Sequence, residues 1–105
     1  MRKIIIPIAN DDLIIKTDEV SHLSAKGDRY CWLVMISGKQ KLLHIPLIDI
    51  LKILPMPPFY QVHREHIVHI ERIKKVMSGD KMRLEMFAGQ IIPLSKDSVN
   101  VLLKQ

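Results

Sequence analysis

The sequence predicts a mainly β domain that also carries two short helices, at about residues 46–54 and 95–104. Three observations predict it. Short apolar runs recur between turn residues along most of the chain. One of them, Lys81-Met82-Arg83-Leu84-Glu85-Met86, alternates apolar and charged residues strictly, as a half-buried strand requires. Only two segments show helical spacing instead. With 105 residues the chain makes one domain, 1–105, long enough to bury a single core.

In chain order, the first strands are Ile4–Ile8, Asp12–Ile15 and Val20–Ser24. Tyr30 to Ile36 is apolar on both faces and belongs inside a sheet. Ser37-Gly38 turns it into Lys41–Ile45. In the segment from Pro46 to Leu54, residues Leu47, Ile48, Ile50, Leu51 and Leu54 share one helical face. Pro46 suits a first turn and Pro55 stops the helix. Tyr60–Val62, Ile67–Ile70 and Ile73–Met77 follow as strands. Ser78-Gly79-Asp80 precedes the alternating strand, and Ala88-Gly89-Gln90 returns the chain through Ile91–Leu94, where Pro93 marks an edge strand or the end of that strand. Ser95 is the N-cap expected for the terminal helix, with Val99, Leu102 and Leu103 on one side.

Composition narrows the function classes. Sixteen Lys and Arg against 11 Asp and Glu give a formal charge of +5, which favours a polyanionic partner. The single cysteine, Cys31, has no internal disulfide partner and sits in the apolar run Tyr30-Cys31-Trp32-Leu33, as a small core residue does. The apolar part of Met1 to Ile8 is too short for a signal peptide, and Asn10-Asp11-Asp12 replaces a cleavage site. No stretch approaches the roughly 20 apolar residues of a membrane span. The expectation is a soluble, cytoplasmic chain.

The densest polar segment is Gln61-Val62-His63-Arg64-Glu65-His66-Ile67-Val68-His69. Its three histidines invite a metal reading. A spacing of three clusters residues on a helix but alternates them across a strand. The stretch Ile67 to Ile70 is β-like, so His69 diverges from His63, and neither a metal site nor a cofactor is expected. The sequence has no nucleophile elbow, no phosphate-binding glycine loop and no Cys-His pair with an orienting partner. No catalytic residues and no small-molecule substrate are expected. The basic residues Lys26, Arg29, Arg64 and Lys96 fall in or beside connections, where recognition residues commonly lie. Arg72, Lys74, Lys75, Lys81 and Arg83 read as solvated strand faces.

The segment Phe59 to Ile73 resembles the LytTR family of bacterial DNA-binding domains, response-regulator output domains. It reproduces their aromatic residue, strand, His-Arg pair and aliphatic pair. Asp18 to Tyr30 is similar to the family's "D-I-x-x-I-E-A-x-G-x-Y" segment, and Ile92-Pro93-Leu94-Ser95-Lys96 to its "L-P-V-S-R" segment. The likeness runs from about Ile4 to Leu103. His69 stands where Asn is usual, Ser24 where Glu is common and His66 where an aromatic is common. The resemblance implies small antiparallel sheets in an elongated, sandwich-like arrangement. It also implies sequence-specific binding of double-stranded DNA by loops in successive major grooves, with two copies on adjacent repeats. It assigns one contact loop to Lys26, Arg29 and Tyr30, a second to His63 and Arg64, and a third to Ser95 and Lys96.

On this reading the chain is a transcriptional regulator without catalysis, either free-standing or a fragment of a longer regulator. A full-length regulator, a kinase or a membrane protein is a further candidate partner. Glu65 and Asp97 introduce negative charge beside the contact loops. They motivate an alternative, a protein-interaction or inhibitory module on the same scaffold that binds DNA weakly or not at all.

Overall fold

The computed structural model describes residues 3–8, 11–95 and 98. Strands β1 (Lys3–Ile8) and β2 (Asp11–Lys16) form an antiparallel hairpin. Its isoleucines separate by parity. Ile4, Ile6 and Ile15 are buried, whereas the paired Ile5 and Ile14 face solvent. A 3-10 turn at Thr17–Glu19 leads into β3 (Val20–Lys26), and β4 (Tyr30–Met35) and β5 (Gln40–Leu43) follow. After the helix α1 (Leu47–Leu51) come β6 (Phe59–His63) and β7 (His66–His69). These strands make a five-stranded antiparallel sheet in the order β5-β4-β3-β7-β6. A second 3-10 turn, Ile70–Arg72, leads to β8 (Ile73–Met77), β9 (Arg83–Met86) and β10 (Ile91–Pro93), a three-stranded sheet in the order β10-β9-β8.

The expected class is therefore the observed one, mainly β and built from small antiparallel sheets. The described residues span 44 × 30 × 23 Å, which is elongated. As expected, β4 is internal and buried on both faces, through Cys31 and Leu33 on one and Val34 on the other. Pro93 lies on the edge strand β10, where its missing N–H leaves no ladder bond unmade.

Two apolar clusters use opposite faces of the large sheet. Ile67 joins the larger cluster, with Ile4, Ile6, Leu23, Leu33, Leu43, Ile50 and Phe59. Its neighbour Val68 joins the smaller one, with Val62, Leu84, Met86 and Ile92. Successive strand residues point to opposite faces, so the β1–β2 hairpin and α1 cover one face and the three-stranded sheet covers the other.

The helix is shorter than its sequence pattern. Pro46 is the N-cap, with φ −64° and ψ 149°, and not a residue of the first turn. Leu47, Ile50 and Leu54 are buried and Leu51 is half-buried, but Ile48 is 67% exposed. Positions 47, 50, 51 and 54 follow the i, i+3, i+4, i+7 stripe, and Ile48 lies off its edge. The alternating strand forms only from Arg83, and Ile70 leaves its strand for the 3-10 turn. In the terminal segment expected to be a helix from 95 to 104, Ser98 is helical; most of the rest lies outside the described residues.

A candidate nucleic-acid interface

Two turns meet at one end of the large sheet. The first joins β3 to β4, where Lys26 pairs with Tyr30 across Gly27, Asp28 and Arg29. Gly27 has φ +65°, a left-handed conformation that an L side chain strains. The second joins β6 to β7, where His63 pairs with His66 across Arg64 and Glu65. The strands β3 and β7 are neighbours, with Ser24 opposite His66. The Ala25 N–H donates to the Glu65 carbonyl at 2.8 Å and ties the two turns together.

A third segment reaches the same place from the small sheet. The Ser95 N–H donates to the Val62 carbonyl at 2.9 Å. The Ser95 and Ser98 hydroxyls lie 2.7 Å apart, and Ser98 Oγ donates to the Gln61 carbonyl at 3.4 Å. Arg64 is exposed between these flanks. It borders a recess shared with Gly27, Asp28 and α1, and another shared with Gln61, His63, Ser95 and Ser98. The structure thus brings together Lys26, Arg29, Tyr30, His63, Arg64 and Ser95 as three adjacent segments. Lys96 lies outside the described residues.

Each flank has internal supports. Lys26 Nζ stands 5.1 Å from the centre of the Trp32 ring, a cation–π distance. The Tyr30 ring meets His44 edge to face at 5.1 Å. In the β6–β7 turn, Nδ1 of His63 accepts the Glu65 N–H at 3.1 Å. This contact fixes the turn that displays Arg64.

Register reveals a row that sequence reading missed. Leu42, Trp32, Ser24, His66 and His63 stand opposite one another across β5, β4, β3, β7 and β6. Residues opposite in antiparallel strands share a face. Two positions inward, His22 faces Val68, which packs against the small sheet. The sheet is covered there and only partly covered at Ser24 and His66. His22 is consequently buried, with Nδ1 2.9 Å from the Ser21 hydroxyl, and its pKa is pushed down to about 4 by burial and then by His66. Burial and the neighbouring His63 also lower the pKa of His66, and Glu65 opposes them. No spacing rule announces this row, because it depends on which strands become neighbours.

The other histidine of the segment goes elsewhere. His69 is buried against Phe59, with ring centres 5.2 Å apart, and its Nδ1 accepts the Glu71 N–H at 3.2 Å. It diverges from His63 as expected, because within β7 it points to the face opposite His66, with which His63 pairs. His63, Glu65 and His66 instead draw together, each offering a ligand atom within 4.8 Å of the others'.

Cys31 is fully buried, and burial raises its thiol pKa to about 11, so it is an inert core residue. Lys74 and Lys75 flank Glu85 at 3.5 and 3.6 Å, and Arg72 Nη2 donates to the Asp18 carbonyl at 2.6 Å. These three cations have partners within the domain. Among the described residues, no helix is long and apolar enough to cross a membrane.

The chain matches the family model of the LytTr DNA-binding domain over residues 11–105. Its fold is similar to the LytTr DNA-binding domain of a methyl-accepting/DNA response regulator from Bacillus cereus, with a TM-score of 0.74 at 20% identity. That similarity covers 97% of this chain and 94% of the other. No curated protein matches the chain.

Proposed function

The chain belongs to the LytTr DNA-binding domain family, and from that premise we propose that it is a sequence-specific, non-catalytic transcriptional regulator, free-standing or part of a longer one, acting in the cytoplasm. Its three segments read successive major grooves of double-stranded DNA. The observation that carries this reading is the position of Arg64, exposed at the apex of the β6–β7 turn and flanked by the Gly27 turn and by Ser95. Arg64 is the base reader, and guanine is its preferred base because O6 and N7 match the guanidinium fork. His63 and Tyr30 support it. Lys26, Arg29 and Lys96 anchor phosphates, and Ser95 positions the third contact. One copy offers a small footprint, so useful affinity requires two copies on adjacent repeats.

Selection of bound DNA from a random pool, followed by footprinting, tests this. The expected result is one short motif whose retention falls steeply with salt. Equal retention of all sequences would refute sequence reading. Failure to retain any DNA at low salt would favour the protein-interaction module instead. The exposed Glu65 carboxylate beside Arg64 is the observation that keeps this second reading in view.

A further inference from the structure

We propose that His63, Glu65 and His66 form a binding site for one divalent transition-metal ion of the zinc class, and that this ion regulates the DNA-facing turn. The second half of the proposal rests on the DNA-binding reading above; the first does not.

The residues come together because of the hairpin. His63 and His66 close the two-residue turn as a cross-strand pair, with ring centres 5.4 Å apart. Glu65 lies within that turn, and one ligand atom from each of the three falls within 4.8 Å of the others. Tetrahedral coordination at zinc bond lengths places ligand atoms roughly 3.3 Å apart. Coordination requires these side chains to draw closer, and Glu65 is exposed and His63 half-buried, so both have room to move. Two imidazoles and one carboxylate suit zinc and its neighbours. Magnesium and calcium prefer oxygen ligands alone. Three protein ligands leave a fourth position for water.

His66 is oriented for this task. The Ser24 hydroxyl lies 2.9 Å from its Nδ1, so Nε2 is the nitrogen left to ligate. A partner on the second ring nitrogen is the usual support of a metal-binding histidine. His63 is the ligand that must change. Its Nδ1 accepts the Glu65 N–H, which places the proton of the neutral ring on Nε2. Ligation through Nε2 moves that proton to Nδ1, and ligation through Nδ1 takes the same lone pair. Either way the Glu65 N–H loses its acceptor. Metal binding therefore rearranges the turn that displays Arg64. The ion also brings two positive charges to a turn where Glu65 otherwise presents a negative one to a polyanion.

Zinc binding is measured first, on the whole chain stripped with chelator and without DNA, by competition with a chromophoric chelator. One zinc per chain is expected, with no competition from magnesium. Glu65→Gln and His63→Ala each weaken binding by more than about tenfold. Cobalt in place of zinc gives the visible bands of a tetrahedral site. Glu65 is exposed, so its variant keeps the test valid if a histidine variant fails to fold. Absence of stoichiometric binding overturns the site, as does binding that neither substitution weakens.

DNA retention is then compared with and without one equivalent of zinc. Retention should rise for the parent chain and not respond in Glu65→Gln. Zinc binding with unchanged DNA affinity overturns the regulatory half. Zinc binding by a chain that retains no DNA under either condition leaves the site standing and refutes the DNA reading and, with it, the regulatory half. DNA retention without zinc binding does the reverse.

Discussion

The Ser24 hydroxyl lies 2.9 Å from Nδ1 of His66, joining β3 to β7 beside the turn that carries Arg64. The two residues are 42 positions apart in sequence. Their contact sets the His66 ring plane and which of its nitrogens remains outward. Ser24→Ala removes the contact and should cost about 1 kcal/mol of stability. It should also weaken zinc binding by about tenfold, because the ring loses its orienting partner. Denaturant titration and chelator competition measure the two effects separately. Unchanged zinc affinity would show that the hydroxyl has no orienting role.

His22 predicts acid sensitivity. In the folded chain its pKa is lowered from 6.5 to about 4, chiefly by burial. The unfolded chain takes up that proton near pH 6.5, so it binds more protons than the folded chain across the interval. Stability is fully present above the unfolded value and falls as pH drops from about 6.5 to about 4, by on the order of 3 kcal/mol at most. His66 and His69, also held below their ordinary value, act in the same direction. Urea unfolding at neutral pH and near pH 4 should show the loss, and His22→Gln should reduce it. An identical pH slope in that variant would contradict the assignment.

Arg64 predicts a loss of discrimination more than of general affinity. Arg64→Ala should cost ~1–3 kcal/mol on the selected site and relax preference at one base pair. Arg64→Lys retains the charge without the planar fork, so it should preserve non-specific retention while losing much of the preference. Quantitative mobility shifts on matched and single-mismatch sites measure both. Equal weakening on every sequence would mark Arg64 as a phosphate contact.

Leu84 ties the small sheet to the large one. It is fully buried with Met86 and Ile92 against Val62 and Val68. Leu84→Ala should destabilise the domain by about 2–5 kcal/mol through lost burial and a residual cavity. Ser95 reaches Val62 from this sheet, so DNA retention should weaken before global unfolding as the variant is warmed. Coincident loss of retention and of the folded signal would show that the two sheets act as one unit.

Much of the fold is legible in local stretches of the chain. The alternation Lys81 to Met86, the doubly apolar Tyr30 to Ile36 and the edge proline Pro93 depend on periodicity and backbone chemistry local to each segment, and each kept its expected kind of place. The turns at Gly27 and at Arg64-Glu65 were legible for the same reason, as were the divergence of His69 and the core role of Cys31. Helix length was less legible. Pro46 and Ile48 carry a pattern compatible with a longer face, and only packing decides which apolar residue stays in water. Which side chains of the polar segment meet depends on strand pairing. Ser24 meets His66 because β3 pairs with β7 in one register, and a shift by one residue would turn each to the other face. The β6–β7 hairpin, with its shifted register, draws His63, Glu65 and His66 together, and the β3–β7 pairing sets Arg64 beside the Gly27 turn. Strand neighbours and register are collective properties of the sheet, and no local pattern in the chain encodes them.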